Sequence, residues 1–282
     1  MGIMNHCKVS LWPDRCGVPS SITSFLLPGV EVRPAILVIP GGGYGGVCER
    51  TEGSPIARRF NELGFHAFVL DYRVAPHRFP APQQDAMRAI RWIRGNAEKL
   101  GVDPDRIAVC GFSAGGHLAA SLGTICAGVD ASCGDELDSI SARPDALILC
   151  YPVISLEPWS HEGSGINLFG ELTPANRKAG SLEKQVTSDT PPAFLWHTIG
   201  DQLVPFRNSM EFAQAMAAHS RPCELHLFPF GKHGMLLGTD TPDISSWPQL
   251  AANFLQTQFS AAALQARYTN EYQSSLLPPV SL

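Results

Sequence analysis

Short apolar runs alternate along the chain with stretches in which apolar residues recur every three or four positions. The runs are typical of strands buried on both faces of a parallel sheet, and the second pattern is typical of amphipathic helices. Two early segments, 8–12 and 21–26, are predicted to add an antiparallel edge. The clearest predicted strands are 35–39, 66–70, 107–110, 146–151, 193–198 and 223–228.

The predicted helices lie between these strands. One begins at Ser54 and ends at Gly64, and a longer one covers residues 82–101. Two more are predicted over 206–217 and from residue 245 onward. Strands that alternate with helices predict the α/β class, with a mostly parallel central sheet of about eight strands and helices on both faces.

Two stretches do not follow this alternation. Residues 155–192 are rich in Gly, Ser, Thr and Pro and only weakly periodic, which suits a lid, a substrate-binding insertion or a plain long connection. Past Phe259 the chain becomes polar, and we expect a peripheral helix and a loose end there. The whole of 1–282 is otherwise predicted to form a single domain.

Composition and charge narrow the class of protein. The chain has a net charge of −5 and no run of like charges, so neither nucleic acid nor an anionic membrane is an expected partner. It has no apolar stretch of the length that spans a membrane. The first residues do not resemble a secretory signal, and the eight cysteines show no paired spacing. Both observations favour a cytoplasmic protein with reduced thiols, although a Cys7–Cys16 bridge is left open.

The strongest candidate for chemistry is the Gly-Phe-Ser-Ala-Gly run at 111–115, which follows a predicted strand and precedes a helix-forming stretch. Strand, Gly-x-Ser-x-Gly and helix together indicate a nucleophile elbow. This tight turn needs the two glycines and lifts the Ser113 hydroxyl to the carboxyl edge of the sheet. The amides at the start of the next helix can stabilise an oxyanion.

A serine nucleophile needs a base, and the base needs an acid that orients it. In a fold of this kind the partners follow in the order Ser, Asp or Glu, His, each in a loop after a strand. Asp201 follows the strand at 193–198, and His233 lies in a glycine-flanked loop after the strand at 223–228. The predicted triad is therefore Ser113, Asp201 and His233.

The other histidines are weaker candidates for the base. His197 and His226 lie inside predicted strands and are interpreted as packed or paired structural residues. His117 lies one helical turn past Ser113, at the predicted pocket floor, on the wrong side to accept the hydroxyl proton. His161 is expected in a loop or at a helix end, exposed to solvent.

A glycine-rich loop at 40–46 completes the candidate site. Consecutive glycines let backbone amides approach a bound carbonyl, and each good donor contributes about 3 kcal/mol in the transition state. The predicted donors of this oxyanion hole are the N–H groups of Gly42, Gly43 and Ala114. A phosphate-binding loop is the alternative, but the chain lacks the Gly-Lys-Ser/Thr and GxGxxG patterns in a suitable context.

Substrate contacts are predicted from Tyr44, His117 and Trp159, whose rings could line the pocket or stack on a sugar. Tyr44 and Phe112 are expected to crowd the acyl side, which predicts that acetate is the best acyl group and octanoate nearly inert. No cluster of His, Asp or Glu has the spacing of metal ligands, so neither a metal nor a cofactor is predicted.

The triad order, the three glycines and the Asp-Tyr-Arg-Val-Ala-Pro run at 71–76 resemble the acetyl esterase/lipase group of the α/β-hydrolase superfamily. That group usually has His before the glycines, where this chain has Pro40. This difference, the segment 190–198 and the Val-Pro pair at 204–205 are closer to the bacterial carbohydrate acetyl esterase branch. That branch is often labelled acetyl xylan esterase and includes feruloyl-esterase-like members. The resemblance covers residues 35–240.

The resemblance implies the same triad and oxyanion loop, and an α/β-hydrolase fold. It also implies that a small ester, often an acetylated sugar, is the partner, and that the Asp-Tyr-Arg run and Asp85 are structural. We expect a serine carboxylesterase that cleaves short acyl, foremost acetyl, esters through an acyl-enzyme. A peptidase, lactonase or amidase, and a binding protein on a hydrolase scaffold, stay open as alternatives. The oligomeric state is also open.

Overall fold

Eight strands form one sheet in the computed structural model, which describes residues 6–260. Across the sheet they follow the order β1-β2-β4-β3-β5-β6-β7-β8. Strand β2 pairs antiparallel with β1 and with β4, whereas β3 to β8 run parallel to one another. The strands are β1 (His6–Ser10), β2 (Ser21–Phe25), β3 (Arg33–Ile39), β4 (His66–Asp71), β5 (Val102–Phe112), β6 (Ala146–Cys150), β7 (Ala193–Thr198) and β8 (Cys223–Phe228). The predicted fold class and its antiparallel edge are confirmed.

Within the described residues, eight α-helices lie between these strands and a ninth follows β8. They are α1 (Glu49–Glu52), α2 (Ser54–Glu62), α3 (Ala81–Gly95), α4 (Ala97–Leu100), α5 (Ala114–Thr124), α6 (Glu162–Phe169), α7 (Pro174–Gly180), α8 (Arg207–Ala218) and α9 (Trp247–Phe259). Short 3-10 helices cover Asp14–Cys16, Cys126–Gly128, Glu136–Ser139, Leu182–Lys184 and Ile244–Ser246. The helix predicted over 82–101 is interrupted at Asn96, whose ψ of 13° leaves the helical range.

Helices cover both faces of the sheet. Leu118 of α5 and Phe212 of α8 are buried against one face, and Phe60 of α2 and Trp247 of α9 are buried against the other. Burying a side chain of this size stabilises the fold by about 1.5–3 kcal/mol. Two buried faces explain why the central strands are apolar throughout instead of alternating.

The carboxyl ends of the parallel strands bring several loops to one edge of the sheet. Ile39 at the end of β3 pairs with Gly111 of β5, and Phe112 pairs with Cys150 at the end of β6. Because parallel strands end at the same edge, the loops that follow β3, β5, β7 and β8 meet there. The predicted triad and the predicted donors of the oxyanion hole lie on or beside these loops.

The segment 155–192, which the sequence left as a lid, an insertion or a connection, contains α6 and α7. The Thr173 hydroxyl caps α7 by accepting the amide of Asn176, and the Arg177 guanidinium donates to the Leu156 carbonyl. These bonds explain a helical structure where the apolar periodicity is weak. A lid function of this segment stays a prediction.

The remaining chain-level predictions concern cysteines, membrane and location. All eight cysteines are free thiols, and Cys7 and Cys16 form no bridge. Within residues 6–260, none of the helices has both the length and the apolar character that crossing a bilayer requires. The helix and loose end expected past Phe259 lie outside the described residues, apart from Ser260. A cytoplasmic location stays a prediction.

Candidate active site

Ser113 lies in the turn between β5 and α5 with φ 53° and ψ −120°, a backbone conformation that side chains rarely adopt. A Cβ atom at Gly111 would lie 2.2 Å from the carbonyl oxygen of Gly115. A Cβ atom at Gly115 would lie 2.2 Å from the carbonyl oxygen of Ile39. Both glycines are therefore required by close backbone contacts, as the elbow motif predicts.

The three residues of the predicted triad lie in one chain of hydrogen bonds. Ser113 Oγ is 2.9 Å from His233 Nε2, and His233 Nδ1 is 2.6 Å from Asp201 Oδ2. With the carboxylate on Nδ1, the proton of that nitrogen is held in place and Nε2 is left to accept the serine proton. This arrangement can generate a nucleophilic alkoxide at neutral pH.

Asp201 is held by four donors. Its Oδ1 accepts the amides of Leu203 and Val204 at 2.9 Å each, and its Oδ2 faces His233 and, at 3.3 Å, His197 Nε2. Burial by itself would raise the pKa of the carboxyl group, but the bonds from His197, His233 and Val204 outweigh it and hold that pKa well below its usual value. Asp201 is therefore an ionised acid with a defined orientation.

His197 is buried and paired, as its strand position predicted, and it also contacts the acid. Its Nε2 is 2.9 Å from the Val204 carbonyl oxygen, and its Nδ1 is 2.8 Å from Ser209 Oγ. A carbonyl oxygen only accepts, so Nε2 carries the proton and Ser209 donates to Nδ1. His197 thereby supports the loop of Asp201 from below. The sequence indicates the contact between His197 and Asp201 only through their spacing of four residues.

The glycine loop after β3 has its carbonyl groups tied back to the protein. The Gly41 carbonyl accepts the amide of Cys48 at 3.0 Å, and the Gly42 carbonyl accepts those of Gly45 and Gly46 at 3.0 and 3.2 Å. In a trans peptide the N–H points opposite to the carbonyl. The N–H groups of Gly42 and Gly43 therefore point away from the amides that bind the Gly41 and Gly42 carbonyl groups.

The same loop lies against the nucleophile. A Cβ atom at Gly41 would be 3.0 Å from Ser113 Cβ. Gly42 and Gly43 have φ of 128° and 63°, which favours glycine at both positions. Within the described residues, the amides of Gly42, Gly43 and Ala114 have no hydrogen-bond acceptor. The arrangement fits the predicted oxyanion hole, whose role stays a prediction.

Glu52 is a residue that sequence reasoning missed. Its side chain is buried at 6% exposure, with Oε2 accepting the Gly41 amide at 2.7 Å and Oε1 accepting the Tyr151 hydroxyl at 2.9 Å. The Tyr151 ring in turn meets the His233 ring edge-on, with centroids 5.1 Å apart. Burial raises the pKa of Glu52, while these bonds and the charge of His233 act against it. The Glu52 carboxylate thus links the glycine loop, through Tyr151, to the base His233. No local sequence motif indicates this role.

We expect Glu52→Gln to lower kcat about tenfold with little change in KM. An amide has one accepting oxygen, so one of the two buried donors, Gly41 N–H or Tyr151 OH, is left unpaired at a cost of about 1–3 kcal/mol. The measurement is steady-state hydrolysis of p-nitrophenyl acetate together with a melting curve. Glu62→Gln, at an exposed position, is the matched control. An unchanged kcat for Glu52→Gln would show that the carboxylate does not hold the loop.

The structure corrects the role expected for Tyr44 and His117. They are 1% and 0% exposed, and Tyr44 OH is 2.9 Å from His117 Nδ1. His117 Nε2 donates to the Gly180 carbonyl at 2.8 Å, and burial lowers the pKa of His117 to about 4 in spite of that bond. The polar atoms of both rings are hydrogen-bonded to other buried groups, so neither ring is available to bind a substrate. Phe112 is also fully buried, so the crowding of the acyl side that we predicted from Tyr44 and Phe112 is wrong.

Trp159 is half-buried, with the Arg207 guanidinium over its ring, 4.3 Å from the centroid. A contact of Trp159 with substrate stays a prediction. His161, expected in a loop or at a helix end and exposed to solvent, is the N-cap of α6 and is half-buried beside the glycine loop. Its Cε1 would lie 3.9 Å from a Cβ atom at Gly43.

Away from the triad, Cys133, Asp135 and Asp138 place three ligand-type atoms within 4.8 Å of one another. Arg88 pairs with both carboxylates, and Asp138 also accepts the amides of Cys133 and Gly134. These bonds cap the 3-10 helix that follows, and Arg88 together with Arg91, 4.0 Å from Asp138, balances the two carboxylates. The group therefore has a structural explanation.

Comparison with known proteins gives consistent matches. The family model BD-FAE matches residues 28–216. Endo-1,4-beta-xylanase B of Butyrivibrio fibrisolvens is 40% identical over 216 residues, which are 74% of this chain and 33% of that protein. Acetylxylan esterase of Xylanibacter ruminicola is 33% identical over 219 residues, 76% of this chain and 43% of that protein. The chain thus spans less than half the length of either relative.

A solved structure extends the match over nearly the whole chain. The acetyl ester-xyloside bifunctional hydrolase from Caldicellulosiruptor lactoaceticus superimposes with a TM-score of 0.86 at 41% identity, and the match covers 91% of this chain and 98% of that one. At this identity the likeness concerns both fold and sequence.

Proposed function

Because this chain belongs to the BD-FAE family and has the α/β-hydrolase fold, we propose that it is a serine carboxylesterase that removes short acyl groups, foremost acetyl, from carbohydrate esters. The observation that carries the proposal is the hydrogen-bonded chain from Ser113 Oγ through His233 to Asp201. These hydrogen-bonded residues lie beside the glycine loop, whose amides are available to an oxyanion. Acyl transfer requires this arrangement.

In the first half of the proposed reaction, His233 Nε2 takes the hydroxyl proton while Ser113 Oγ attacks the ester carbonyl carbon. The carbonyl oxygen becomes an oxyanion that accepts the amides of Gly42, Gly43 and Ala114. When the tetrahedral intermediate collapses, the bond to the alcohol oxygen breaks and that oxygen takes the proton from His233. Ser113 is left acylated and the alcohol is free.

In the second half, water replaces the alcohol. His233 Nε2 takes a proton from the water as its oxygen attacks the acyl carbon, and the same amides bind the second oxyanion. Collapse breaks the bond to Ser113 Oγ, which recovers its proton from His233. The carboxylic acid leaves. Asp201 stays ionised throughout and stabilises the imidazolium that forms twice.

Two of the matched proteins support a carbohydrate as the alcohol part. One is named an acetylxylan esterase and the other an acetyl ester-xyloside hydrolase. The xylanase and the acetylxylan esterase extend well beyond the matched segment, which covers 33% and 43% of them, so the proposal concerns the residues of this chain only.

The test is a substrate panel: acetylated methyl β-xyloside, a δ-lactone and an alanyl p-nitroanilide. We expect acetate release from the xyloside and turnover at least about a hundredfold lower on the anilide, because an amide nitrogen is a much poorer leaving group. Preference for the anilide would identify a peptidase or amidase, and preference for the lactone a lactonase. Absence of turnover on every member would contradict the enzymatic proposal.

Within p-nitrophenyl esters, we expect the highest kcat/KM for acetate and a value at least about a hundredfold lower for octanoate. The reason is that α6 packs over the glycine loop and limits the room for a long acyl chain. Asn167 Nδ2 donates to the Gly43 carbonyl at 2.8 Å and would lie 3.1 Å from a Cβ atom at Gly45. An open groove would instead favour longer chains by about 0.8 kcal/mol for each buried methylene. A maximum at six carbons or beyond would contradict the short-acyl proposal and favour a lipase-like role for residues 155–192.

A further inference from the structure

We infer that His161 selects the alcohol part of the substrate, by donating a hydrogen bond from its Nε2–H to a hydroxyl or ether oxygen of the sugar next to the ester. The inference rests on the proposed esterase function and deepens it. It specifies that the alcohol part of the substrate is polar and rich in oxygen atoms, and it names the residue of this chain that binds it.

A hydrogen bond from α6 holds the ring of His161 in one tautomer. His161 is the N-cap of this helix, and its Nδ1 lies 3.3 Å from the Ser164 amide nitrogen and 2.8 Å from Ser164 Oγ. A backbone amide only donates, so Nδ1 is the accepting nitrogen and the proton is on Nε2. Ser164 is itself 1% exposed, so this bond is protected from water.

The ring of His161 lies beside the glycine loop. Cε1, the ring carbon between the two nitrogens, would be 3.9 Å from a Cβ atom at Gly43. Asn167, one helical turn beyond Ser164, anchors the same helix to that loop through the Gly43 carbonyl. In the described part of the chain no residue accepts a hydrogen bond from His161 Nε2. A half-buried donor beside the candidate oxyanion hole is thus left for a ligand.

The acyl part of an acetate ester has no hydrogen-bond acceptor beyond its carbonyl oxygen, so a donor beside the glycine loop serves the alcohol part. Burial and the charge of His233 lower the pKa of His161, while the charge of Asp201 raises it. The leaving alcohol oxygen takes its proton from His233 Nε2, so the alcohol part of the ester occupies the His233 side. His161 is a neutral donor there, which suits an uncharged sugar oxygen and adds no positive charge against the imidazolium.

The test compares two acetate esters of six-membered rings that differ in their oxygen atoms, methyl β-xyloside monoacetate and cyclohexyl acetate. We expect His161→Phe to lower kcat/KM on the xyloside about tenfold, the loss of one net hydrogen bond, and to change cyclohexyl acetate less than twofold. His161→Gln, whose amide can donate from a similar position, should restore most of the xyloside activity. His219→Phe, at an exposed position after α8, is the matched control.

The outcomes separate the two proposals. Equal loss on both esters, or no loss on either, would overturn the role of His161 while leaving the esterase function in place. If the wild-type protein cleaves neither ester nor p-nitrophenyl acetate, the esterase function itself fails. A melting temperature of His161→Phe within a few degrees of wild type shows that the comparison is made on folded protein. If the Phe variant does not fold, His161→Leu, which also lacks a donor, provides the same comparison.

Discussion

Ser113→Ala is expected to reduce kcat for ester hydrolysis by at least about 10⁴-fold while the protein stays folded. The substitution removes the one oxygen that attacks the carbonyl carbon, and neither His233 nor the glycine loop can replace it as a covalent nucleophile. The residue is half-exposed and its backbone is held by the contacts of Gly111 and Gly115, which the variant keeps. Alanine also fits the elbow because it adds no atom beyond Cβ.

The measurement is a progress curve with p-nitrophenyl acetate, corrected for spontaneous hydrolysis, and a thermal melt of both proteins. Ser245→Ala, at an exposed position before α9, serves as the control and should retain full activity. If Ser113→Ala kept even a tenth of the wild-type turnover, the assignment of the nucleophile, and with it the triad, would be wrong.

Asp201→Asn is expected to reduce kcat by about 10³- to 10⁴-fold. The amide nitrogen cannot accept the His233 Nδ1 proton, so the imidazole either turns or takes the tautomer with its proton on Nε2, facing Ser113. The base is then unable to accept the serine proton. Steady-state kinetics on the same ester measures the loss, and a reduction of less than tenfold would mean that another acid orients His233.

The same substitution should also change how stability depends on pH. A carboxyl group whose pKa is lowered in the folded protein stabilises the fold above its ordinary unfolded pKa, about 3.9, and this stabilisation is lost as pH falls toward the folded value. We therefore expect wild type to exceed Asp201→Asn in unfolding free energy at pH 7, and this difference to shrink below pH 4. Urea unfolding at pH 7 and pH 3 measures it, with exposed Asp240→Asn as the control. A difference that is equal at both pH values would contradict the ionised, hydrogen-bonded state of Asp201.

The local chemistry of the site follows from short stretches of sequence. A serine between two glycines after an apolar run can adopt its strained turn only because a Cβ atom at either glycine would collide with backbone. Asp201 and His233 follow strands whose apolar character predicts parallel neighbours, and parallel neighbours end at the same edge. Sequence spacing was therefore sufficient to place the predicted triad at one edge, and the structure brings its three members into hydrogen-bonding distance.

Burial and long-range contacts were decided only by the tertiary structure. Tyr44 and His117 looked like pocket residues from their neighbours in sequence, yet they face each other 2.9 Å apart beneath the site, 73 residues apart in the chain. Glu52 and His161 had no motif, and their positions depend on Gly41 and on the docking of α6 against Gly43. A sequence pattern encodes contacts within a few residues, through backbone geometry and periodicity. The direction of a side chain near the surface depends on which distant segment packs over it, and only the folded chain determines that.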